Sequence, residues 1–244
     1  MSTSSSRSLP ATAPAAPPPA VVHPTLGKLG REIQSPGLQK LMTNFWVDKA
    51  GAMILVGQAV WSMFDAVQNH EGLEMYLWLA SQVLMVGFAV FRATPKRVTT
   101  NPVNWFIEAA AFCSWFLYWT VRNESAIAIA PKWVSSTIAI IGLFILVGAR
   151  LSLARSFGYL PAQREIRVVG TYAFVRHPIY TAILFNGIAL FLAHTSAMMA
   201  VAVFTNNFFF LLKALIEENY LGLHSPEYRA YMQRVRWRYI PYVF

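Results

Sequence analysis

Long apolar stretches separated by short polar segments dominate the chain from residue 46 onward. A helix needs about 20 mostly apolar residues to cross a bilayer. Six stretches approach or reach this length: 46–67, 73–93, 103–121, 131–153, 178–193 and 196–216. The fifth stretch is short, and a turn around residues 194–196 joins it to the sixth. The pattern predicts an all-α, polytopic transmembrane bundle of about six spans, the last two forming a helical hairpin.

Composition supports this prediction and gives the segment before the first stretch a separate character. Hydrophobic residues make up 56% of the chain and charged residues 13%, whereas an ordinary soluble domain carries roughly 25% charged residues. The excess apolar surface is expected to contact lipid. Residues 1–27 are rich in Ser, Ala, Thr and Pro and contain no continuous apolar run. We therefore expect a disordered cytoplasmic tail and no secretory signal there.

The formal net charge of +9 could suggest nucleic acid as a partner, but the placement of the basic residues favours membrane lipids. Of the 20 basic residues, all except Arg122 and Lys132 fall in segments that the six spans would leave on one side. Such segments stay in the cytoplasm. We expect both termini to be cytoplasmic and no nucleic acid to bind. Arg236 and Arg238 are interpreted here as anchors to anionic lipid.

Polar residues that could carry chemistry begin at residue 150. Pro178 stands at the expected first position of the fifth helix, where its missing N–H costs nothing. The free amides of that helix start are suited to binding an anion, and His177 and Tyr180 lie one turn apart there. In the sixth stretch, Lys213 and Glu217 share a helical face. A hairpin would bring both groups of residues to one membrane face.

Each of these features also has an ordinary structural explanation. His177-Pro178 is typical of a helix cap at a membrane boundary, and Glu217 with Glu218 is typical of solvated charges paired with Lys213. Glu108 lies near the cytoplasmic end of the third stretch, where an ionisable group is costly. It either reaches the site or extends to the interface. The sequence has no dinucleotide-binding or P-loop motif and no His/Cys spacing typical of zinc.

A set of motifs in fixed order occupies residues 150–244: Gly170-x-Tyr172, Arg176-His177-Pro178-x-Tyr180, Glu217-Glu218, Tyr228-x-x-Tyr231, Arg234-Val235 and Pro241. This set resembles the isoprenylcysteine carboxyl methyltransferase family, which is related to the phospholipid N-methyltransferases. The resemblance implies an integral membrane enzyme that transfers a methyl group from S-adenosylmethionine to a lipophilic or amphiphilic acceptor entering from the bilayer. Residues 150–244 would then be the catalytic region, and residues 28–149 an interfacial segment followed by membrane spans.

The resemblance also implies a role for each matching residue. Cofactor binding falls to Arg164, Glu165, Ile166, Arg167, Tyr172, His177, Pro178, Tyr180 and Glu217. Among these, Glu217 would hold the α-ammonium group of the cofactor, a role that suits a carboxylate. Lys213 and Arg234 would bind the acceptor. Lys213 and Glu218 would be the catalytic residues, with Glu218 taking the proton of an amine acceptor. No metal is implied.

Departures from the family pattern leave alternatives open. Lys213 stands where the family commonly has Arg, and Lys lacks the bidentate fork that binds a carboxylate. The acceptor is therefore a prenylated thiol-acid, a lipid amine or another small amphiphile, as in an N-, S- or O-methyltransferase of the same fold. NADPH-dependent membrane sterol reductases resemble this region in His-Pro-x-Tyr and in the ending Ile240-Pro241-Tyr242. A non-catalytic membrane scaffold is the third alternative.

Overall fold

A computed structural model describes residues 35–69, 72–91, 95, 97–121, 127–153, 162–163 and 168–243. The predicted disordered tail at residues 1–27 lies outside the described residues, as do Arg164, Glu165, Ile166 and Arg167. Most of the described chain is helical. Its α-helices are α1 (Pro36–Met42), α2 (Phe45–Asn69), α3 (Gly72–Phe91), α4 (Pro102–Val121), α5 (Lys132–Leu153), α6 (Pro178–Ala193), α7 (Ala197–His224) and α8 (Pro226–Arg234).

Three short elements lie in the connections between the helices. Strand β1 (Arg97–Val98) pairs antiparallel with β2 (Ala162–Gln163), and this pairing joins the connection after α3 to the connection after α5. A 3-10 helix covers Gly170–Ala173, just before α6. These elements therefore hold the polar segments at the same end of the helices as the start of α6.

Helices form at all six predicted apolar stretches, and four of them are long and apolar enough to cross a membrane. These four are Phe45–Asn69, Leu73–Phe91, Lys132–Leu153 and Ala197–His224. Of the other two, α6 is apolar but has only 16 residues. Helix α4 has 20 residues, but it carries buried polar side chains at Asn104, Glu108 and Ser114. Those polar groups lower the apolarity of α4. Glu108 and Ser114 lie where α4 packs against α7, and Asn104 bonds to Thr99 before the helix.

The interior of the bundle is rich in alanine, and many large apolar side chains lie on its exterior. Alanines are buried at helix contacts: Ala52, Ala59, Ala66, Ala89, Ala111, Ala149, Ala182, Ala189, Ala202 and Ala214. Large apolar side chains are exposed: Trp46, Phe64, Phe91, Phe106, Trp133 and Phe204. Small residues at helix interfaces are typical of membrane bundles, where lipid removes the need to bury large apolar groups. Cys113, which apolar surroundings would suggest is buried, is exposed.

The helix boundaries of α6 and α7 follow local sequence signals. Pro178 occupies the first turn of α6, as predicted, and Ser196 caps α7 by accepting a hydrogen bond from the backbone N–H of Met199. Helix α7 extends to His224, beyond the predicted end at residue 216. It ends there because Pro226 disfavours the helical conformation of the preceding residue. Apolarity had marked only the first part of this helix.

Close contacts set the positions of α5, α6 and α7. A Cβ atom at Gly142 of α5 would lie 3.2 Å from the carbonyl oxygen of Ala182 in α6, so the missing side chain lets the two helices approach closely. Tyr180 near the start of α6 contacts Phe210 in α7. Further along α6, Gly187 lies against Val203, which comes earlier in α7. The start of α6 thus lies beside the part of α7 that leads into Lys213 and Glu217.

Candidate functional site

The C-terminal segment runs across the start of α6. Three hydrogen bonds hold it there: Arg176 N to Trp237 O at 2.9 Å, His177 N to Arg238 O at 2.9 Å, and Thr181 Oγ1 to Tyr239 O at 2.7 Å. The amide of Tyr180 also donates, to His177 O. Several N–H groups at this helix start are therefore already bonded to carbonyl groups. Fewer free amides remain for the anion that the sequence suggested there.

Glu218 in α7 is the centre of an ionic cluster, here called the Glu218 cluster, which also contains Arg176, His177 and Arg238. Its Oε1 lies 3.2 Å from Arg176 Nε and 3.1 Å from His177 Nε2, and its Oε2 accepts from Arg238 Nε at 3.0 Å. The Glu218 and His177 side chains are buried. Since an ionised carboxylate only accepts hydrogen bonds, His177 Nε2 is the donor. The cluster ties α7 to both the start of α6 and the C-terminal segment.

Glu217, the preceding residue, has different surroundings. Its Oε2 accepts a hydrogen bond of 2.9 Å from the Tyr180 hydroxyl. The Tyr180 ring is stacked on the His177 ring, with 5.1 Å between centroids and 5° between planes. The Glu217 side chain is half-buried. Tyr180 is the one hydrogen-bond donor that the structure shows for this carboxylate among the residues it describes.

Two further tyrosines are within electrostatic range of Glu217. Burial, and after it the negative charge of Glu217, hold the pKa of the Tyr172 phenol well above its ordinary value. The same two causes raise the pKa of Tyr228. Both phenols are therefore neutral at physiological pH. With Tyr180, which donates a hydrogen bond to Glu217, they make three neutral phenols near this carboxylate.

Helix α8 fixes the 3-10 turn that carries Tyr172. The Tyr231 hydroxyl donates to the backbone oxygen of Tyr172 at 2.9 Å, and Ser152 Oγ in α5 accepts from the Thr171 amide at 3.3 Å. Gly170 opens the turn with φ +59°, a left-handed conformation that glycine adopts without a steric penalty. The turn is thereby held from both α5 and α8.

Lys213 lies one turn before Glu217 in α7 and forms an ion pair with Glu108 of α4. Both side chains are buried. Next along the same pair of helices, Asn206 Nδ2 donates to Ser114 Oγ at 2.9 Å. The sequence left open whether Glu108 reaches the site, and the structure pairs it with Lys213, one of the predicted site residues. The sequence contained one signal for this pairing. Glu108 and Lys213 have opposite charges and both lie in apolar stretches, where an ionisable group is costly without a partner.

The structure brings most of the predicted site residues together. Tyr172, His177, Pro178, Tyr180, Glu217 and Glu218 lie around the start of α6, with Lys213 one turn further into the bundle. Arg234 is the exposed last residue of α8, a position where a cation suits the helix dipole. The lipid-anchoring interpretation of Arg238 was wrong, because its guanidinium binds Glu218. The cofactor, acceptor and catalytic roles assigned to these residues stay predictions.

Within the described part of the chain, no group of three or more His, Cys, Asp or Glu side chains is arranged to hold a metal ion. No protein-family model matches the chain, and no curated protein matches it at a significant level. The resemblance to the isoprenylcysteine carboxyl methyltransferases therefore depends on the ordered motifs of residues 150–244.

Proposed function

We propose that the chain is an integral membrane methyltransferase that uses S-adenosylmethionine and methylates a lipophilic or amphiphilic acceptor. The observation that carries this proposal is the pairing of Glu217 with Tyr180 beside the stacked His177 ring. A half-buried carboxylate among neutral aromatic side chains is suited to a cationic ligand. The same residues stand at the positions that the family motifs assign to the cofactor.

The residues present fit this cofactor chemically. S-adenosylmethionine carries a positive α-ammonium group and supplies a methyl group bonded to a positive sulfonium. Glu217 would hold the ammonium group through a charge-assisted hydrogen bond. The faces of Tyr172 and Tyr180 attract positive charge, and His177 keeps the Tyr180 ring in place. The resemblance also assigns residues 164–167, which lie outside the described part of the chain, to cofactor binding.

The acceptor would reach this site from the bilayer. In the proposed arrangement all six apolar helices cross the membrane, α6 and α7 form a hairpin, and both termini are cytoplasmic. The cytoplasmic end of the bundle then receives the water-soluble cofactor, while an apolar acceptor enters laterally between helices. Methyl transfer from a sulfonium needs mainly alignment and exclusion of water. Lys213 and Glu108 lie deeper in the bundle than Glu217, on the side from which the acceptor would come.

Calorimetric titration of the purified protein tests the cofactor. We expect S-adenosylmethionine and S-adenosylhomocysteine to bind, and NADPH to bind much more weakly. Tight binding of NADPH without a response to S-adenosylhomocysteine would instead favour the reductase-like alternative. Binding of none of the three would favour a non-catalytic scaffold.

Cysteine labelling tests the orientation. Cys113 is the only cysteine and it is exposed, so single-cysteine variants are built on Cys113→Ala. We expect a membrane-impermeant reagent to label a cysteine at position 70 in intact cells. A cysteine added at the C-terminus should react only after the membrane is opened. Labelling of the C-terminus in intact cells would reverse the proposed orientation.

A further inference from the structure

The ion pair between Lys213 and Glu108 lies among apolar helices and links α7 to α4. The Lys213 side chain is 5% exposed and that of Glu108 is 3% exposed. Lys213 is therefore compensated by a carboxylate of the protein itself. An anionic acceptor would compete with Glu108 for the Lys213 ammonium, and a displaced Glu108 carboxylate would be buried without its partner.

The second carboxylate oxygen of Glu108 points to a ligand. Solvent does not reach Oε1, and among the described residues none donates a hydrogen bond to it. A buried charged oxygen without a donor is unfavourable, and Oε1 can accept a hydrogen bond while Oε2 keeps Lys213. The atom is thus a ready acceptor for an N–H group.

The position of Glu108 connects this oxygen with the proposed cofactor site. Its carboxylate is within electrostatic range of Glu217 and of the Tyr180 phenol. The charged side chains that act on it are the Lys213 ammonium and the Glu217 carboxylate. Two carboxyl groups, those of Glu108 and Glu217, thus share one ammonium group in this region. The local field therefore favours a cationic or hydrogen-bond-donating group over an anionic one.

We propose that Glu108 determines which acceptor is methylated: its Oε1 receives an N–H group of an amine-bearing amphiphile, and its pairing with Lys213 excludes carboxylates. This inference rests on the proposed methyltransferase function. It differs from the acceptor role that the motifs imply for Lys213, because the cation is neutralised by α4. The motif region contains no residue of α4, so the motifs alone could not give this specificity.

Two amphiphiles of equal chain length, dodecylamine and dodecanoate, test the proposal. Binding of each is measured by calorimetry on detergent-solubilised protein saturated with S-adenosylhomocysteine. We expect the wild type to bind dodecylamine at least tenfold more tightly than dodecanoate. Glu108→Gln should lower that ratio at least tenfold, because it releases the Lys213 ammonium. Lys213→Met should keep the amine preference, and Ser114→Ala, which removes an uncharged contact between the same helices, should match the wild type.

Several results would overturn the proposal. A wild type that prefers dodecanoate, or that binds neither amphiphile above a detergent blank, contradicts it. So does a ratio that stays constant in Glu108→Gln while melting temperatures fall, which indicates a purely structural ion pair. If Glu108→Gln does not fold, the double variant Glu108→Gln/Lys213→Met, which buries no uncompensated charge, must lose the amine preference. The affinity for S-adenosylhomocysteine is measured first. A protein that does not bind S-adenosylhomocysteine contradicts the proposed function. A protein that binds it but prefers dodecanoate contradicts only this inference.

Discussion

Glu217 and Glu218 are identical neighbours in α7, but they face two regions with different chemistry. Glu218 is buried and is bound by Arg176, His177 and Arg238. Glu217 is half-buried and accepts one hydrogen bond, from Tyr180, among the described residues. At 3.6 residues per turn, consecutive side chains point about 100° apart. One helix can therefore present one carboxylate to a structural cluster and the next to a binding region.

The difference shows how the state of a carboxylate indicates its use. A buried carboxylate that is surrounded by cations holds elements together, and removing it leaves those cations uncompensated. A partly exposed carboxylate with few partners retains capacity for a ligand. The motif Glu217-Glu218 therefore divides into a candidate binding residue and a residue that positions the C-terminal segment. This division departs from the assignment of Glu218 as proton acceptor, and the following substitutions test it.

The largest effect on stability is expected for Glu218→Gln. The substitution leaves Arg176 and Arg238 without their carboxylate partner, and breaking a buried ionic cluster costs about 3 kcal/mol or more. We expect the melting temperature in detergent to fall strongly. Arg238→Gln should give a smaller decrease in the same direction, and Arg236→Gln, which changes an exposed side chain, should give almost none. A Glu218→Gln protein that melts like the wild type but transfers no methyl group would restore the catalytic assignment.

Glu217→Gln, the same substitution one position earlier, should affect the cofactor instead. A hydrogen bond to a charged group contributes about 1.5–3 kcal/mol, so the dissociation constant for S-adenosylhomocysteine should rise roughly ten- to a hundredfold. The melting temperature should change little. As a control, Lys213→Ala should leave cofactor affinity nearly intact while slowing methyl transfer. Unchanged affinity in Glu217→Gln, together with a lower melting temperature, would make Glu217 a structural residue as well.

The helices were predictable because their signals are local. Apolar length alone located all six helices in the bundle, and Pro178 marked the start of α6. Helix faces were not predictable in the same way. In a helix that is apolar on all sides, periodicity does not show which side packs against protein. For this reason the apolar run around Cys113 does not reveal that this side chain is exposed.

Parts of the candidate site were predictable for a different reason. The ordered motifs indicated that Tyr172, His177, Tyr180 and Glu217 belong together, and the structure places them around one helix start. The partners of the charged residues were missed. Lys213 and Glu108 are 105 positions apart, and their pairing depends on how α4 and α7 rotate against each other. Nothing local to either residue specifies that rotation.

Tyr180→Phe should produce an intermediate effect on the Glu217 region. The variant keeps the ring stacked on His177 and loses the hydroxyl that donates to Glu217. The hydroxyl positions Glu217 rather than touching the cofactor, so only part of its bond energy should appear in binding. We expect a loss of about 0.5–1.5 kcal/mol, or roughly two- to tenfold in cofactor affinity. Tyr239→Phe is the matched control, because its hydroxyl donates to the backbone oxygen of Phe210. If both variants lower cofactor affinity equally, the Tyr180–Glu217 bond has no special role.

Thr181→Val should have the smallest effect and should be confined to the region of the Glu218 cluster. The Thr181 hydroxyl donates to Tyr239 O at 2.7 Å and helps hold the C-terminal segment against α6. Loss of this hydrogen bond costs about 1 kcal/mol. If the segment opens locally, its opening equilibrium should shift roughly fivefold toward the open state. The amides of Arg176 and His177, which donate to Trp237 O and Arg238 O, should then exchange hydrogen about fivefold faster. Thr137→Val is the control, because that hydroxyl donates within its own helix, to Trp133 O, and contributes little there.

Cofactor affinity should remain that of the wild type, since Glu217 and Tyr180 are unchanged. Unaltered exchange at Arg176 and His177 would mean that the ionic bonds of Glu218 hold the segment without this hydroxyl. Faster exchange accompanied by weaker cofactor binding would mean that the two regions are coupled rather than separate.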